Sequence, residues 1–273
     1  MIRQLTSAFL ISSGITAVAY RRRSLSLSGV MGGLMVGTLI LGLGGWLWAL
    51  PLGLFFITSS LLSHFKENEK RAAAEKFEKG HTRDFAQAMA NGGLGSLIAL
   101  GNALLPAPFW YYLYTGVMAT VTADTWATEL GTLSKEPPRL ITTGQVVEVG
   151  SSGGVSVLGT AVSLLGGLLI GLGGALMQRD RNAWRLPLIG AFSGLAGSLF
   201  DSLLGATVQQ IYYCDRCQKE TERKLHRCGQ QTRPVRGYAW LNNDLVNLFA
   251  SLVGGITAVA LWLLLRPRTP KSP

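Results

Sequence analysis

Two carboxylates, Asp124 and Glu129, lie at the end of an apolar segment that covers residues 109–130. Placing a charge in hydrocarbon costs a few kcal/mol or more, so an acid at this depth usually faces a protein interior or a wet cavity and has a function there. On a helix the two side chains point about 140° apart, because they are separated by five residues. They need not touch, and Asp124 is the first candidate catalytic residue.

A third carboxylate, Asp201, interrupts a stripe of glycines at positions 190, 194, 197 and 205. Glycines at this spacing let helices pack closely, so Asp201 would come close to whatever the neighbouring helices bind. Together with Asp124 it offers the hard oxygen ligands that Mg²⁺ accepts alongside phosphate oxygens. The alternative is an ion pair between one of these acids and a lysine or arginine of the bundle.

Amide, hydroxyl and glycine residues mark three further candidate segments. Asn91 shares a helical stripe with Gln87 and Gly95, where amides can hold a hydrated ligand but also join helices as polar contacts. Glycine and serine before a helix leave backbone N–H groups free for a phosphate, although they also simply begin helices. The candidate ligand-binding residues of these segments are Asn91, Ser151, Ser152, Gly153, Gly154, Asn243, Asp244 and Asn247.

All three cysteines lie in one polar segment, as Cys214-x-x-Cys217 followed by His226-x-Cys228. This spacing is typical of a closed, tetrahedral zinc site, and three thiolates with one imidazole leave no open position for catalysis. The sequence therefore predicts a structural Zn²⁺ bound by these four residues. The alternative is three reduced thiols beside an exposed histidine. The placement of the cysteines gives no disulfide framework.

Several function classes are excluded by the sequence. No lysine follows a glycine anywhere in the chain, so there is no Walker A phosphate loop. No histidine begins an HExxH pattern, which excludes the metalloprotease chemistry of that motif. The net charge of +10 could suggest a nucleic-acid partner, but no recognition module is present. The basic residues lie between apolar runs, where retention at a membrane surface accounts for them.

The elements that must position these residues are membrane-length helices. The chain of 273 residues is 48% hydrophobic and only 15% charged, with 34 glycines, a composition typical of a polytopic membrane protein. We expect an all-α bundle of about eight transmembrane helices that forms a single membrane domain over residues 1–273. The apolar windows fall near residues 5–20, 27–45, 46–63, 86–105, 109–130, 153–176, 187–207 and 240–265.

Two of these windows need interpretation. The second and third run together through Gly44, Gly45 and Pro51, so their division rests on turn-forming residues alone. The first could be a signal peptide, because residues 17–19 have the small-x-small form of a cleavage site. The arginines at 21–23 follow directly and oppose export, so we interpret this window as a first, short transmembrane helix.

The basic residues are unevenly distributed between the two ends of the bundle. If the turn at residues 21–23 is cytoplasmic, so are the loops 64–85, 131–152 and 208–239, and together these segments hold most of the lysines and arginines. Such a bias is the positive-inside rule. The same topology brings every polar cluster of the apolar segments to one leaflet, so an active site there would face the cytoplasm.

The loop 64–85 is predicted to contain a charged helix that continues out of the third window. Alternating acidic and basic residues in this loop are typical of a solvated helix face with pairs four residues apart. Lys66, His81 and Arg83 could instead reach a phosphate. Arg83 is the candidate that we add to the ligand-binding residues.

Five motifs follow one another along the chain: Ala90-Asn91-Gly92-Gly93, residues 123–131 (ADTWATELG), residues 153–156 (GGVS), residues 197–206 (GSLFDSLLGA) and residues 242–247 (NNDLVN). In this order they resemble the motifs of the transmembrane protein 19 family, which includes the plant phytyl-phosphate kinase of vitamin E synthesis. The resemblance covers most of the chain from the second helix onward. The family is in turn distantly similar to the CTP-dependent polyprenol kinases.

The resemblance implies transfer of the γ-phosphate of a nucleoside triphosphate, with CTP as the expected donor, to an isoprenoid monophosphate such as phytyl or geranylgeranyl phosphate. It implies that Asp124, Glu129 and Asp201 hold Mg²⁺ and position the phosphates, while the amide, serine and glycine candidates complete a polar floor. A lipid acceptor needs a membrane pocket, and phosphoryl transfer asks mainly for positioning and charge stabilisation. The partners are then membrane lipid, isoprenoid monophosphate and nucleotide, with no indication of oligomeric state.

Two alternatives belong to other function classes. In a transporter or channel, Asp124, Asp201 and Asn91 would line a solute path near the middle of the membrane. In a lipid-binding scaffold, the Cys/His loop would serve as a docking surface, and Asp124 would be dispensable. Depth separates the first alternative from an enzyme, because acids clustered at one leaflet favour an enzyme.

Overall fold

The computed structural model describes residues 2–74, 76–77, 82–178 and 183–266. Of the predicted charged loop, residues 75 and 78–81, His81 included, lie outside this part of the chain. The helices are α1 (Ile2–Arg21), α2 (Leu27–His64), α3 (Glu67–Ala74), α4 (Phe85–Leu104), α5 (Phe109–Gly131), α6 (Val157–Met177), α7 (Leu186–Thr207) and α8 (Asn243–Leu265). The strands are β1 (Arg139–Leu140), β2 (Gly154–Val155), β3 (Ile211–Cys214), β4 (Lys219–Thr221) and β5 (Arg233–Arg236).

Helix α2 consists of two antiparallel halves joined at Gly45, where φ is 67° and ψ is −164°. This backbone conformation is essentially restricted to glycine. Both ends of α2 meet at Arg83, because a side chain at Gly29 would collide with the Arg83 carbonyl oxygen and Arg83 Nη1 donates to Ser60 Oγ at 3.1 Å. The chain therefore reverses at Gly45, and the predicted division into a second and a third helix is confirmed.

Pro51 lies early in the second half of α2, where α5 packs against it. Proline has no N–H, so the carbonyl of Leu47, four residues earlier, receives no helical hydrogen bond. The Tyr111 hydroxyl donates to this carbonyl oxygen at 3.3 Å, and the Tyr114 hydroxyl donates to the carbonyl oxygen of Trp48 at 2.6 Å. These two bonds attach α5 to the turn of α2.

The N-terminal helix α1 packs along the first half of α2. A Cβ at Gly37 would lie 2.6 Å from Ser12 Oγ, and one at Gly42 would lie 2.6 Å from a methyl carbon of Leu5. Contacts this close are possible only because both positions are glycine. The segment is thus a helix packed against α2, and its crossing of the membrane stays a prediction.

Helix α5 is the centre of the bundle and contacts α2, α4, α6, α7 and α8. Its middle turns are fully buried, with Tyr114, Val117 and Met118 each 0% exposed. Glycines permit the close contacts around it: a Cβ at Gly116 would lie 2.9 Å from the Cα atom of Gly255 on α8. Packing of this kind is the main source of helix association in a bilayer, where the hydrophobic effect between helices is absent.

The glycine stripe of α7 faces its neighbours as predicted. A Cβ at Gly190 would lie 2.9 Å from the backbone nitrogen of Gly171 on α6, and one at Gly194 would lie 2.9 Å from the Ala119 carbonyl oxygen on α5. Any side chain at these positions would force the helices apart. The prediction that the stripe serves close packing is confirmed.

Two small sheets lie in the loops, and the sequence analysis did not predict them. β1 and β2 pair antiparallel, and β3 pairs antiparallel with both β4 and β5. The run Ile211-Tyr212-Tyr213 has β-branched and aromatic residues that favour strands. A search for membrane-length apolar windows cannot detect strands of four residues or fewer, so the sequence analysis missed them.

Four helical stretches within the described residues are long and apolar enough to cross a membrane. They are Leu27–His64, Val157–Met177, Ala183–Thr207 and Asn243–Leu265. The protein is therefore predominantly helical with four candidate membrane spans. The larger number of about eight spans stays a prediction.

Candidate functional site

A cavity of about 300 Å³ opens at the end of the bundle where the long loops meet. It is lined by residues from helices α2 to α8 and from the loops between them. All predicted catalytic and ligand-binding residues lie on its wall. They are Arg83, Asn91, Asp124, Glu129, Ser151, Ser152, Gly153, Gly154, Asp201, Asn243, Asp244 and Asn247.

Close contact between α5 and α7 brings two of the acids to the same level. Gly194 faces Ala119, and one turn later Gly197 faces Thr120. The two helices therefore run in the same direction at this contact. Asp124 and Asp201 each lie four residues beyond the second contact, on the same helix faces, and both line the cavity.

Asp201 carries a buried oxygen, Oδ2, that has no hydrogen-bond partner among the residues that the structure describes. A buried acceptor without a partner is costly and is rare in folded proteins. No salt bridge joins Asp201 to a lysine or arginine among the described residues, so the ion-pair alternative finds no support there. A carboxylate with an unused oxygen, close to a second carboxylate, has the donor chemistry that a divalent cation requires.

Glu222 is a further acid of the cavity that the sequence analysis missed. It follows β4, and its Oε1 accepts hydrogen bonds from Ser152 Oγ at 3.1 Å and from Gln209 Nε2 at 2.9 Å. It is close enough to interact electrostatically with both Asp124 and Asp201. No sequence pattern singles out Glu222, because only the folding of its loop over the helix ends brings it there.

Glu129 differs from the other acids because it forms an ion pair with Lys70 of α3. Lys70 is only 4% exposed and also donates to the Leu62 carbonyl oxygen at 2.7 Å, at the end of α2. Ser63 Oγ donates to Glu129 Oε1 at 2.7 Å. The resemblance implied that Glu129 helps to hold Mg²⁺, whereas its carboxylate here joins α5 to α2 and α3 at the cavity wall.

Arg83 lies on the cavity wall between α3 and α4. Its guanidinium donates to Ser60 Oγ and lies 5.6 Å from the ring centre of Phe55 and 5.9 Å from that of Phe56. Burial lowers the pKa of Arg83 from its ordinary value, and the nearby Glu129 opposes this change. An arginine stays charged at neutral pH, so Arg83 gives the cavity a fixed cation.

The serine and glycine segment before α6 is built differently from the phosphate cradle that the sequence suggested. Ser156 caps α6, since its Oγ accepts from the backbone nitrogen of Gly159 at 3.0 Å. Gly154 N donates to the Ser151 carbonyl oxygen at 3.0 Å. The helix N-terminus and part of the loop backbone are therefore already hydrogen-bonded, and the segment faces the cavity mainly with its side chains.

Lys76 holds this segment from the α2–α4 connection. Its Nζ donates to Ser151 Oγ at 3.2 Å and forms an ion pair with Glu148 at 2.8 Å. The hydrogen bond and the positive charge of Lys76 lower the pKa of Glu148 below its ordinary value. Lys76 was not among the predicted site residues, because a lysine within a charged run looks like part of a solvated helix face.

The four predicted zinc ligands lie together beside the cavity, and their ligand atoms are within 4.8 Å of one another. The Sγ atoms of Cys214 and Cys228 are 3.7 Å apart, too far for a disulfide of about 2.05 Å. A tetrahedral metal with Zn–S bonds of about 2.3 Å separates its sulfur ligands by roughly 3.8 Å. The cluster could therefore hold a metal ion.

Known proteins match the chain over most of its length. The family model described as "Integral membrane protein DUF92" matches residues 10–255. Protein PGR of Arabidopsis thaliana is 33% identical over 94% of this chain and 96% of its own. An uncharacterized membrane protein of Methanocaldococcus jannaschii is also 33% identical, over 93% of each chain. The chloroplastic Protein VTE6 of Arabidopsis thaliana is 24% identical over 86% of this chain and 64% of its own.

No solved structure matches the chain. The similarity to Protein PGR and Protein VTE6 supports the resemblance to the transmembrane protein 19 and phytyl-phosphate kinase family that the motifs carry. Because the family model covers most of the sequence and two relatives exceed 30% identity over nearly their whole length, the chain belongs to the DUF92 family of integral membrane proteins.

Proposed function

We propose that this protein is a prenyl-phosphate kinase that transfers the γ-phosphate of a nucleoside triphosphate, with CTP as the expected donor, to an isoprenoid monophosphate. Family membership and the resemblance support a kinase acting on prenyl phosphates. The cavity supports the same activity, because it combines acids, a fixed cation and hydroxyl groups at the end of a membrane bundle.

The observation that carries the proposal is the Oδ2 atom of Asp201, which lies next to Asp124 in the cavity and has no hydrogen-bond partner within the described part of the chain. Hard oxygen ligands of this kind suit Mg²⁺, which usually binds through one or two carboxylates together with substrate phosphates. Asp124 and Asp201 would hold the ion, which when bound neutralises charge on the transferring phosphate. Glu222 adds a third carboxylate, held in place by Ser152 and Gln209.

The reaction requires little covalent chemistry from the protein. An oxygen of the isoprenoid phosphate forms a bond to the γ-phosphorus, the bond to the bridging oxygen breaks, and a nucleoside diphosphate leaves. Catalysis then consists mainly of positioning and charge stabilisation. Arg83 supplies a fixed positive charge for the phosphates, and the amides of Asn91, Asn243 and Asn247 offer hydrogen bonds to the bound substrates.

We propose eight membrane spans and a site that faces the cytoplasm. Counting α2 as two helices gives eight long helical segments among the described residues, because the chain reverses at Gly45. The loops at the cavity end carry most of the basic residues, which favours the cytoplasmic side for them. Nucleotide is available on that side, while the isoprenoid acceptor arrives from the bilayer.

A transport function receives less support from the packing. Beyond Asp124 toward the other end of the bundle, α5 is closed by fully buried residues, including Val117, Met118 and Ala119. The acids also share their cavity with loop residues such as Ser152 and Glu222. This clustering at one end is the arrangement that favours an enzyme.

We further propose that the Cys/His cluster binds Zn²⁺ as a structural ion. Three thiolates and one imidazole make a complete tetrahedral shell, which leaves no position for a substrate. Such sites contribute directly to the folding of small polar segments. The segment that carries these ligands has only short strands and little core of its own.

The experiment uses purified protein in lipid with phytyl or geranylgeranyl monophosphate, Mg²⁺ and each nucleoside triphosphate, and measures prenyl diphosphate. We expect product from the wild type and a loss of at least about 100-fold in Asp124→Asn, since stabilisation of the transferring charge would be removed. Glu136→Gln, an exposed acid outside the cavity, should keep full activity. Well-folded wild type that forms no product with any acceptor and nucleotide would overturn the proposal.

A further inference from the structure

The Cys/His module, residues 211–236, contributes directly to the wall of the cavity. Arg227 stands between the two clustered residues His226 and Cys228 and lines the cavity. Glu222, at the other side of the module, lines it as well. The segment that holds the Cys/His cluster therefore also places an arginine and an acid in the site.

The module is fixed to the helix ends by hydrogen bonds on several sides. Arg236 Nη1 donates to the carbonyl oxygens of Gly205 and Ala206 at 2.8 and 2.7 Å, at the end of α7. The backbone nitrogen of Glu222 donates to the Lys76 carbonyl oxygen at 2.9 Å. Arg223 Nε donates to the carbonyl oxygen of Phe77 at 2.8 Å. The module thus has one defined position over the cavity.

Arg227 differs from the other cations of the cavity in its contacts. Lys70 is paired with Glu129, and Arg83 donates to Ser60. The guanidinium of Arg227 forms no hydrogen bond or ion pair with the described residues, and the side chain is exposed. A planar guanidinium with five donors is well suited to bind phosphate oxygens in pairs.

We infer that Arg227 binds the polyphosphate of the nucleotide at the mouth of the cavity, and that metal ligation by His226 and Cys228 on either side of it holds Arg227 there. The inference rests on the proposed kinase function for its ligand. An exposed arginine on the loop side meets a ligand that comes from water, whereas the isoprenoid acceptor comes from the bilayer. A metal bound by the Cys/His cluster would then set nucleotide affinity without touching a substrate.

The first test measures binding, not turnover. Full-length protein in lipid nanodiscs is titrated with a β,γ-imido nucleoside triphosphate and Mg²⁺ by calorimetry, and with inorganic tripolyphosphate. We expect Arg227→Gln to weaken both ligands about 10-fold or more while its metal content by mass spectrometry stays that of the wild type. Lys224→Gln removes an exposed charge of the same module that does not line the cavity, and should bind like the wild type.

The second test links the metal to Arg227. A chelator that removes the metal from wild-type protein should weaken nucleotide binding to the level of Arg227→Gln, and added Zn²⁺ should restore it. Chelation should change binding little in Arg227→Gln itself, because the residue that the metal positions is already absent. Cys217→Ser should reproduce the chelated state, and circular dichroism checks that the helices persist.

The outcomes separate this inference from the kinase proposal. Nucleotide binding that depends on Arg227 and on the metal, without prenyl diphosphate formation, supports the subsite and overturns the kinase reaction. Wild-type affinity in Arg227→Gln, or metal loss with unchanged affinity, overturns the inference even where the kinase reaction is observed. Failure of the wild type to bind any polyphosphate overturns it too.

Discussion

The two halves of α5 have different surroundings: residues 111–123, the packed half, contact neighbouring helices, and residues 124–131, the cavity half, line the cavity. From Tyr111 to Ala123 nearly every side chain is buried, and glycines of α7 and α8 press against its backbone. From Asp124 to Gly131 the helix lines the cavity, and its side chains are partly accessible. The change occurs within one turn of α5, at the level of the cavity.

This difference indicates that the close contacts of the packed half fix the positions of the side chains in the cavity half. Asp124 follows directly on a stretch whose position is fixed by backbone contacts with α7, and Asp201 follows the matching stretch of α7. Two carboxylates are thereby held close together on backbone that has little conformational freedom. Substitutions in the packed half should lower stability, and substitutions in the cavity half should lower activity.

The largest effect is expected for Asp201→Asn in the cavity half. It removes the carboxylate whose Oδ2 has no partner in the described residue ranges, so prenyl diphosphate formation should fall about 1000-fold, which corresponds to roughly 4 kcal/mol in the activation barrier. The free energy of unfolding in detergent should change by less than about 1 kcal/mol, because no native hydrogen bond to that oxygen is lost. A stable variant with near wild-type turnover would remove Asp201 from the site.

Glu129→Gln tests whether this acid of the cavity half is structural. It leaves the buried Lys70 charge without its partner, and breaking such a pair costs about 3 kcal/mol of unfolding free energy. The double variant Glu129→Gln/Lys70→Met should recover a large part of this loss, because the uncompensated charge is gone. A single variant of full stability that loses all activity would instead make Glu129 a ligand of the reacting groups.

Gly116→Ala tests the packed half. The new Cβ would lie 2.9 Å from the Cα atom of Gly255 on α8, so α5 and α8 must separate, at a cost of about 2 kcal/mol in stability. Gly53→Ala in α2 is the matched control, since a Cβ there meets nothing within 4 Å. Denaturation in mixed micelles measures both, and equal stability of the two variants would contradict the close contact.

Tyr111→Phe gives the smallest expected change. It removes the hydrogen bond that the Tyr111 hydroxyl donates to the Leu47 carbonyl oxygen. Pro51 has no N–H to replace this bond, which contributes about 1 kcal/mol. Activity should persist, because Tyr111 lies in the packed half and outside the cavity lining. Tyr20→Phe at an exposed position of α1 serves as the reference. A loss of turnover at unchanged stability in Tyr111→Phe would show that the two halves are not separable.

Much of the helical architecture follows from the sequence. The apolar windows predict the long helices to within a few residues, and Gly44-Gly45 marks the reversal in α2. The prediction fails in the loops, where β1 to β5 are too short to leave a periodic pattern. Their pairing depends on contacts between segments that are distant in the chain.

The acids of the site that lie within apolar segments could be predicted from the sequence. An acid such as Asp124 or Asp201 within an apolar segment is unusual enough to stand out by itself. Lys70, Glu222 and Arg227 are charged residues in polar segments, where charge is ordinary, so no signal in the sequence indicates that they line the cavity. The role of Glu129 was equally hidden, because its partner lies on another helix.

The sequence by itself determined where the helices run, that α7 packs through a glycine stripe, and which four residues could hold a metal ion, because length, spacing and residue type are local properties of the chain. Only the tertiary structure decided that Asp201 Oδ2 has no partner among the described residues while Glu129 pairs with Lys70, and that the Cys/His module reaches the cavity. These outcomes depend on which loops fold over which helix ends, and hence on packing between residues far apart in the chain.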